Sequence, residues 1–140
     1  MTKLLAACAL AAITFAAAPR SLKAADALCP LGNATLSGTY MVIGGGTAVG
    51  IGPVTAVGRI TFDGKGNSVN PFTQSVNGVI SRGVVTGPYT VNSDCTVSLT
   101  QSDGTHYDFV VAPNGSTVNW IETDTGSVVS GTERRLKHIE

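Results

Sequence analysis

Asp103-Gly104-Thr105-His106-Tyr107-Asp108-Phe109-Val110-Val111-Ala112-Pro113-Asn114-Gly115-Ser116-Thr117-Val118-Asn119-Trp120-Ile121-Glu122-Thr123-Asp124-Thr125-Gly126 is the stretch on which the fold turns. Three times an Asp, Asn or Thr precedes a glycine, at intervals of eleven residues. Between these pairs lie His106 to Ala112 and Ser116 to Thr123, and Ser127 to Arg135 follows. Tyr107, Phe109 and Val111 alternate with His106 and Asp108, and Val118 and Trp120 alternate with Thr117 and Asn119. Period two is the mark of a strand with one packed and one wet face. Strands joined by evenly spaced tight turns make an up-and-down meander.

The same theme extends upstream. Thr39 to Ile43 reads as a first strand and Val54 to Phe62 as a second, ended by the hairpin signal Asp63-Gly64-Lys65-Gly66-Asn67. Ser68 to Val76 is a third run, with Pro71 marking an edge, a bulge or a bend. The turn Asn77-Gly78 leads into a long fourth run, Val79 to Val91, and Asn92-Ser93-Asp94 precedes a fifth, Thr96 to Gln101. No segment after the leader carries a helical period. The expectation is an all-β, eight-stranded antiparallel barrel, because closing the sheet removes both exposed edges. A β-sandwich of the same strands is the alternative.

The N-terminus reads as a secretory signal helix over residues 1–27, leaving one domain over 28–140. Lys3 supplies the positive end, and Leu4 to Ala18 is an uncharged run of fifteen residues, short of the roughly 20 a membrane span needs. Ala25-Asp26-Ala27 is an A-x-A cleavage site. Leu5-Ala6-Ala7-Cys8 superficially matches a lipoprotein box, but most of the apolar run lies behind the cysteine, the wrong way round. Cleavage after Ala27 leaves six basic and eight acidic side chains. With no basic patch, nucleic-acid binding lacks its electrostatic basis. With no second hydrophobic segment, no stable membrane anchor is expected. The product would be periplasmic or extracellular.

Cys29 and Cys95 remain after cleavage, and in an oxidising compartment a single pair is most simply a disulfide. The two histidines, His106 and His138, are far apart, and no C-x-x-C or H-x-x-x-H spacing exists, so neither a metal nor another cofactor is expected.

Candidate site residues come from two sets. Arg59, Arg82, Glu122 and Glu133 each interrupt a strand run, and two or more facing the lumen would form a polar floor or an acid–base pair. Glu122 carries most weight, being two residues from Trp120 and therefore on its face. Cross-strand ion pairs on the outer face are the simpler reading of these charges. Tyr40, Tyr89, Tyr107 and Trp120, with Phe62 and Phe109, would either line a ligand pocket or fill the core. His106 and Asp108 share a strand face, but no G-x-S-x-G elbow supplies a nucleophile for them. Gly44 to Pro53 lacks the G-K-[ST] ending of a phosphate loop; it reads as a glycine-softened hairpin, or as an apolar flap over a barrel mouth.

Leu36-Ser37-Gly38-Thr39-Tyr40, the run Ala56 to Asn67, Gly87-Pro88-Tyr89-Thr90-Val91-Asn92-Ser93-Asp94-Cys95-Thr96, Asp108-Phe109-Val110 and Val129-Ser130-Gly131-Thr132 resemble a group of uncharacterised small exported bacterial proteins. The group is similar in architecture to allene oxide cyclase-like domains, a calycin-type barrel. The resemblance implies a barrel; no catalytic residue of the cyclases maps onto this chain, so the chemistry does not follow from the shape. Three roles remain open. The first is non-enzymatic binding of a small apolar or amphipathic ligand. The second is a cyclase or isomerase acting by confining its substrate. The third is an envelope or interaction protein with a filled core. A lumen cavity above about 300 Å³ separates the first two from the third.

Overall fold

The computed structural model describes residues 27–137; the proposed leader up to Asp26, with Cys8, and His138 lie outside the described residues. A 3-10 turn (Gly32–Thr35) precedes eight strands: β1 (Ser37–Ala48), β2 (Gly52–Asp63), β3 (Asn67–Val76), β4 (Val79–Val91), β5 (Thr96–Thr100), β6 (His106–Val111), β7 (Thr117–Glu122) and β8 (Ser127–Arg135). They form a closed antiparallel barrel in chain order. The closing seam pairs β1 with β8 from Tyr40↔Arg135 to Ala48↔Ser127.

Alternation decides which residues enter the lumen. Tyr40 and Val42 on β1, Ile60 and Phe62 on β2, Val85, Tyr89 and Val91 on β4, and Val97 and Leu99 on β5 are buried, and their immediate neighbours are exposed except Thr39, which is half-buried. The turns follow their local chemistry. Asn77 and Gly78 both have positive φ (48° and 85°), and Val76 pairs with Val79 across them. This is a two-residue hairpin whose twist matches that of the strands. At the β2–β3 turn, Asp63 Oδ1 accepts the backbone N–H groups of Lys65, Gly66 and Asn67 at 2.7, 2.9 and 2.9 Å.

The strands are not equal, as the even turn spacing had suggested: β1 to β4 run 10 to 13 residues, and β5 to β8 run 5 to 9. The glycines of Gly44 to Gly52 do not form a flap. Gly44, Gly45 and Gly46 continue β1, the turn is Val49-Gly50-Ile51, and Gly52 opens β2. A Cβ at Gly46 would run into the Val128 carbonyl, so a bare backbone lets β1 press against β8. Pro71, with no N–H to donate, interrupts the β2–β3 ladder opposite Arg59 and Ile60, but the register is the same on both sides. It makes no bulge.

One end of the barrel is plugged. The Cys29–Cys95 disulfide, with Cα atoms 5.2 Å apart, ties the incoming chain to the β4–β5 turn. Tyr40, Phe62 and Tyr89 stack edge to face beneath it, with centroids 5.4 and 4.9 Å apart. The Tyr40 hydroxyl donates to the Gly115 carbonyl at 2.6 Å and accepts Arg135 Nε–H at 3.0 Å. Arg135 Nη2 donates to the Thr35 carbonyl at 3.0 Å, and the Tyr89 hydroxyl donates to the Leu36 carbonyl at 2.7 Å. Tyr40→Phe removes one hydroxyl and leaves a carbonyl and a guanidinium N–H without it. A loss of about 1–2 kcal/mol is expected, read as a shift of the urea midpoint. An unmoved midpoint would mean that water replaces the hydroxyl.

Candidate functional site

The opposite end is open. Its rim is made by the β1–β2, β3–β4, β5–β6 and β7–β8 turns, and below it lies a cavity of about 310 Å³. Val42 and Ala48 of β1, Val54, Ala56, Gly58 and Ile60 of β2, Asn70, Phe72, Gln74 and Val76 of β3, Tyr107 and Phe109, Trp120 and Glu122, and Ser127, Val129 and Glu133 reach its wall.

Trp120 is positioned by what β1 and β8 lack. A Cβ at Gly44 or Gly131 would land against its six-membered ring, so the indole lies on bare backbone. Tyr107 meets it edge to face at 5.5 Å, and Phe109 follows Tyr107 at 6.1 Å. Phe72 covers Gly83 in the same manner on the far wall. The aromatic residues singled out from the sequence thus divide. Tyr107, Phe109 and Trp120 line the cavity, whereas Tyr40, Phe62 and Tyr89 belong to the plug. Height along the barrel axis, set by the stagger of the strands, makes the division.

The charged candidates divide as well. Arg59 and Arg82 are exposed on the outer face, so they do not join Glu122 in a lumenal floor. Period-two parity with Phe62 and Tyr89 carries this signal, since each arginine stands an odd number of residues from an inward aromatic. Glu122 and Glu133 do face the cavity. Glu122 pairs across the sheet with Tyr107, whose phenol is pushed up first by burial and then by the Glu122 carboxylate. His106 turns outward and pairs with Asp124 at 2.8 Å rather than with Asp108.

Glu133 is the most unusual group of the site. It is 3% exposed and stands between Val42 of β1 and Val118 of β7. Burial pushes its carboxyl up to about 8. Its Oε2 has no hydrogen-bond partner among the described residues, nor have Trp120 Nε1, Asn70 Oδ1 and Ser127 Oγ, all from residues of the same cavity wall. Asn70, Phe72 and Ser127 were not singled out by the sequence. The inward alternation of β3, Ser68, Asn70, Phe72, Gln74 and Val76, mixes polar with apolar residues and so hides which face is packed. Among the described residues, no three His, Cys, Asp or Glu side chains gather as a metal site requires.

No known family model matches the chain, and neither does any curated protein. Among solved structures, a de novo designed fluorescence-activating β-barrel is similar, at 16% identity and a TM-score of 0.43, covering 71% of this chain and 93% of that one.

Proposed function

We propose that this chain is an exported barrel that binds a small apolar or amphipathic molecule in its lumen, without chemistry of its own. The observation that carries this reading is the cavity of about 310 Å³, walled by aromatic rings and by residues that carry buried polar atoms without protein partners among the described residues. Buried polar groups are almost always hydrogen-bonded, and a pocket with a few convergent polar groups is the usual form of a small-molecule site. A filled interior would have favoured an envelope or interaction role instead. The catalytic candidates offer less support for a cyclase or isomerase, because both arginines lie on the outer face, away from the two lumenal glutamates. The allene oxide cyclase-like resemblance supports the shape of the container. The Cys29–Cys95 bridge is compatible with export, and cleavage after Ala27 would leave Cys29 as the second residue of the mature chain.

Native mass spectrometry of the full chain, expressed in a bacterium with its own leader, tests both halves of the proposal. The expected species begins at Leu28, lacks the two thiol hydrogens and carries a noncovalent small molecule that is recovered unchanged. Ala56→Phe, which grows into the cavity from β2, is expected to abolish that adduct while the protein stays folded. An adduct that survives Ala56→Phe would place binding elsewhere. A chain retained with residues 1–27 intact would overturn export.

A further inference from the structure

We infer that the lumen selects cations: its ligand is a small apolar molecule bearing one protonated amine, which pairs with the Glu133 carboxylate. This rests on the ligand-binding reading above and adds its charge. Glu133 is buried with Oε2 unpartnered among the described residues, so no protein cation offsets its charge. Nothing on the wall competes for it, because among the described residues no Lys, Arg or His lines the cavity. Glu122 and Asp103 stand nearer the mouth and add negative potential along the way in. Tyr107 and Trp120 line the same cavity, and aromatic rings attract a cation further.

The alternatives fit worse. A carboxylate ligand would be desolvated in a cavity lined by Glu133, Glu122 and Asp103 with no cation to receive it, an arrangement that selects against anions. A neutral alcohol could share a hydrogen bond with Glu133, but it would gain no ion pair. The groups around Glu133 agree. On β1 its partner Val42 is apolar, and the next inward group is the Tyr40 hydroxyl, already bonded to Gly115 and Arg135. On β7 its partner Val118 is apolar, with Glu122 further up the strand. On β8 itself Arg135 hydrogen-bonds Tyr40 and Thr35, and these bonds do not reach Glu133. Tyr107 of β6, neutral at physiological pH, completes the surroundings.

A proton balance follows. In the ligand-free protein Glu133 is largely protonated at pH 7, since burial raises its carboxyl to about 8. Pairing with an ammonium favours the carboxylate, so the acid proton leaves to solvent as the ion pair forms. Three probes of one shape separate the contributions: 1-aminoadamantane, 1-adamantanol and 1-adamantanecarboxylate. Each is titrated into the mature, oxidised protein, with the fluorescence of Trp120, the single tryptophan, as one signal and calorimetry in buffers of different ionisation heat as the other. The amine is expected to bind about tenfold more tightly than the alcohol, with the carboxylate weakest. Close to one proton should be released with the amine and none with the alcohol. Glu133→Gln should remove both the preference and the proton. Equal affinity for amine and alcohol, or release of no proton from the wild-type protein, overturns the inference and leaves the lumenal site standing. If none of the three probes binds, the ligand-binding reading fails with it.

Discussion

Replacing both Cys29 and Cys95 with serine is expected to lower the stability of the domain by about 4 kcal/mol. The bridge spans 66 residues, more than half of the described chain. In the chain-entropy account it restricts the unfolded ensemble in proportion to the logarithm of that span. The native state gains as well, because both cysteines are buried, 1% and 3% exposed, in the plug that covers Leu36 and Tyr40. Cys95 sits at a φ of 71°, a conformation that few side chains adopt willingly. Once released, the turn has less reason to keep it. Small domains have about 5–15 kcal/mol in total, so such a loss is a large fraction of what holds the barrel together. Urea unfolding of the oxidised, the reduced and the doubly substituted proteins gives the answer. The reduced and substituted forms should coincide at a much lower midpoint. If all three unfold together, the bridge is incidental.

Glu133→Gln is expected to act in the opposite direction, stabilising the ligand-free protein by roughly 3 kcal/mol at pH 7. The sign follows from linkage. Burial raises the folded-state value to about 8, against 4.5 for the free side chain. Between those values the folded chain keeps a proton that the unfolded chain gives up. The wild-type protein should therefore lose stability as the pH rises from about 4.5 to about 8 and change little through this group outside that window. Glutamine cannot ionise, so this part of the slope should vanish in the variant, and the two proteins should converge near pH 4. A variant less stable than wild type at every pH would show that Glu133 is held by a partner. In the cation-selective lumen this cost to folding would be offset when a ligand ammonium pairs with the carboxylate.

The strand count and the turns were readable along the chain because each depends on near neighbours, and the cysteine pairing because a single pair remains after the proposed cleavage. Asn77-Gly78 adopts its hairpin from its own φ preferences, and β4 and β8 begin and end at the residues that alternation and glycine assign. The barrel that the resemblance implied is present, but no known family model supports the allene oxide cyclase-like family itself. Parity also placed Trp120 and Glu122 on one face, and it held the outward assignment of Arg59 and Arg82, which the search for a lumenal acid–base pair passed over.

What the chain could not disclose along its length is everything that depends on closure. Period two tells in from out, but it does not tell plug from cavity; the stagger of eight strands sends Tyr40 and Tyr89 to one end and Tyr107 and Trp120 to the other. Gly44 reads as part of a softened hairpin and Gly131 as one more strand residue until β1 meets β8 and their missing side chains become the bed of an indole. Glu133 looks like one charge among many in a polar C-terminal strand. It becomes a buried, unpartnered acid only when Val42 and Val118, 91 and 15 residues away in sequence, arrive on either side of it and bring no cation. A side chain's solvation is set by neighbours remote along the backbone, and those exist only once the barrel has closed.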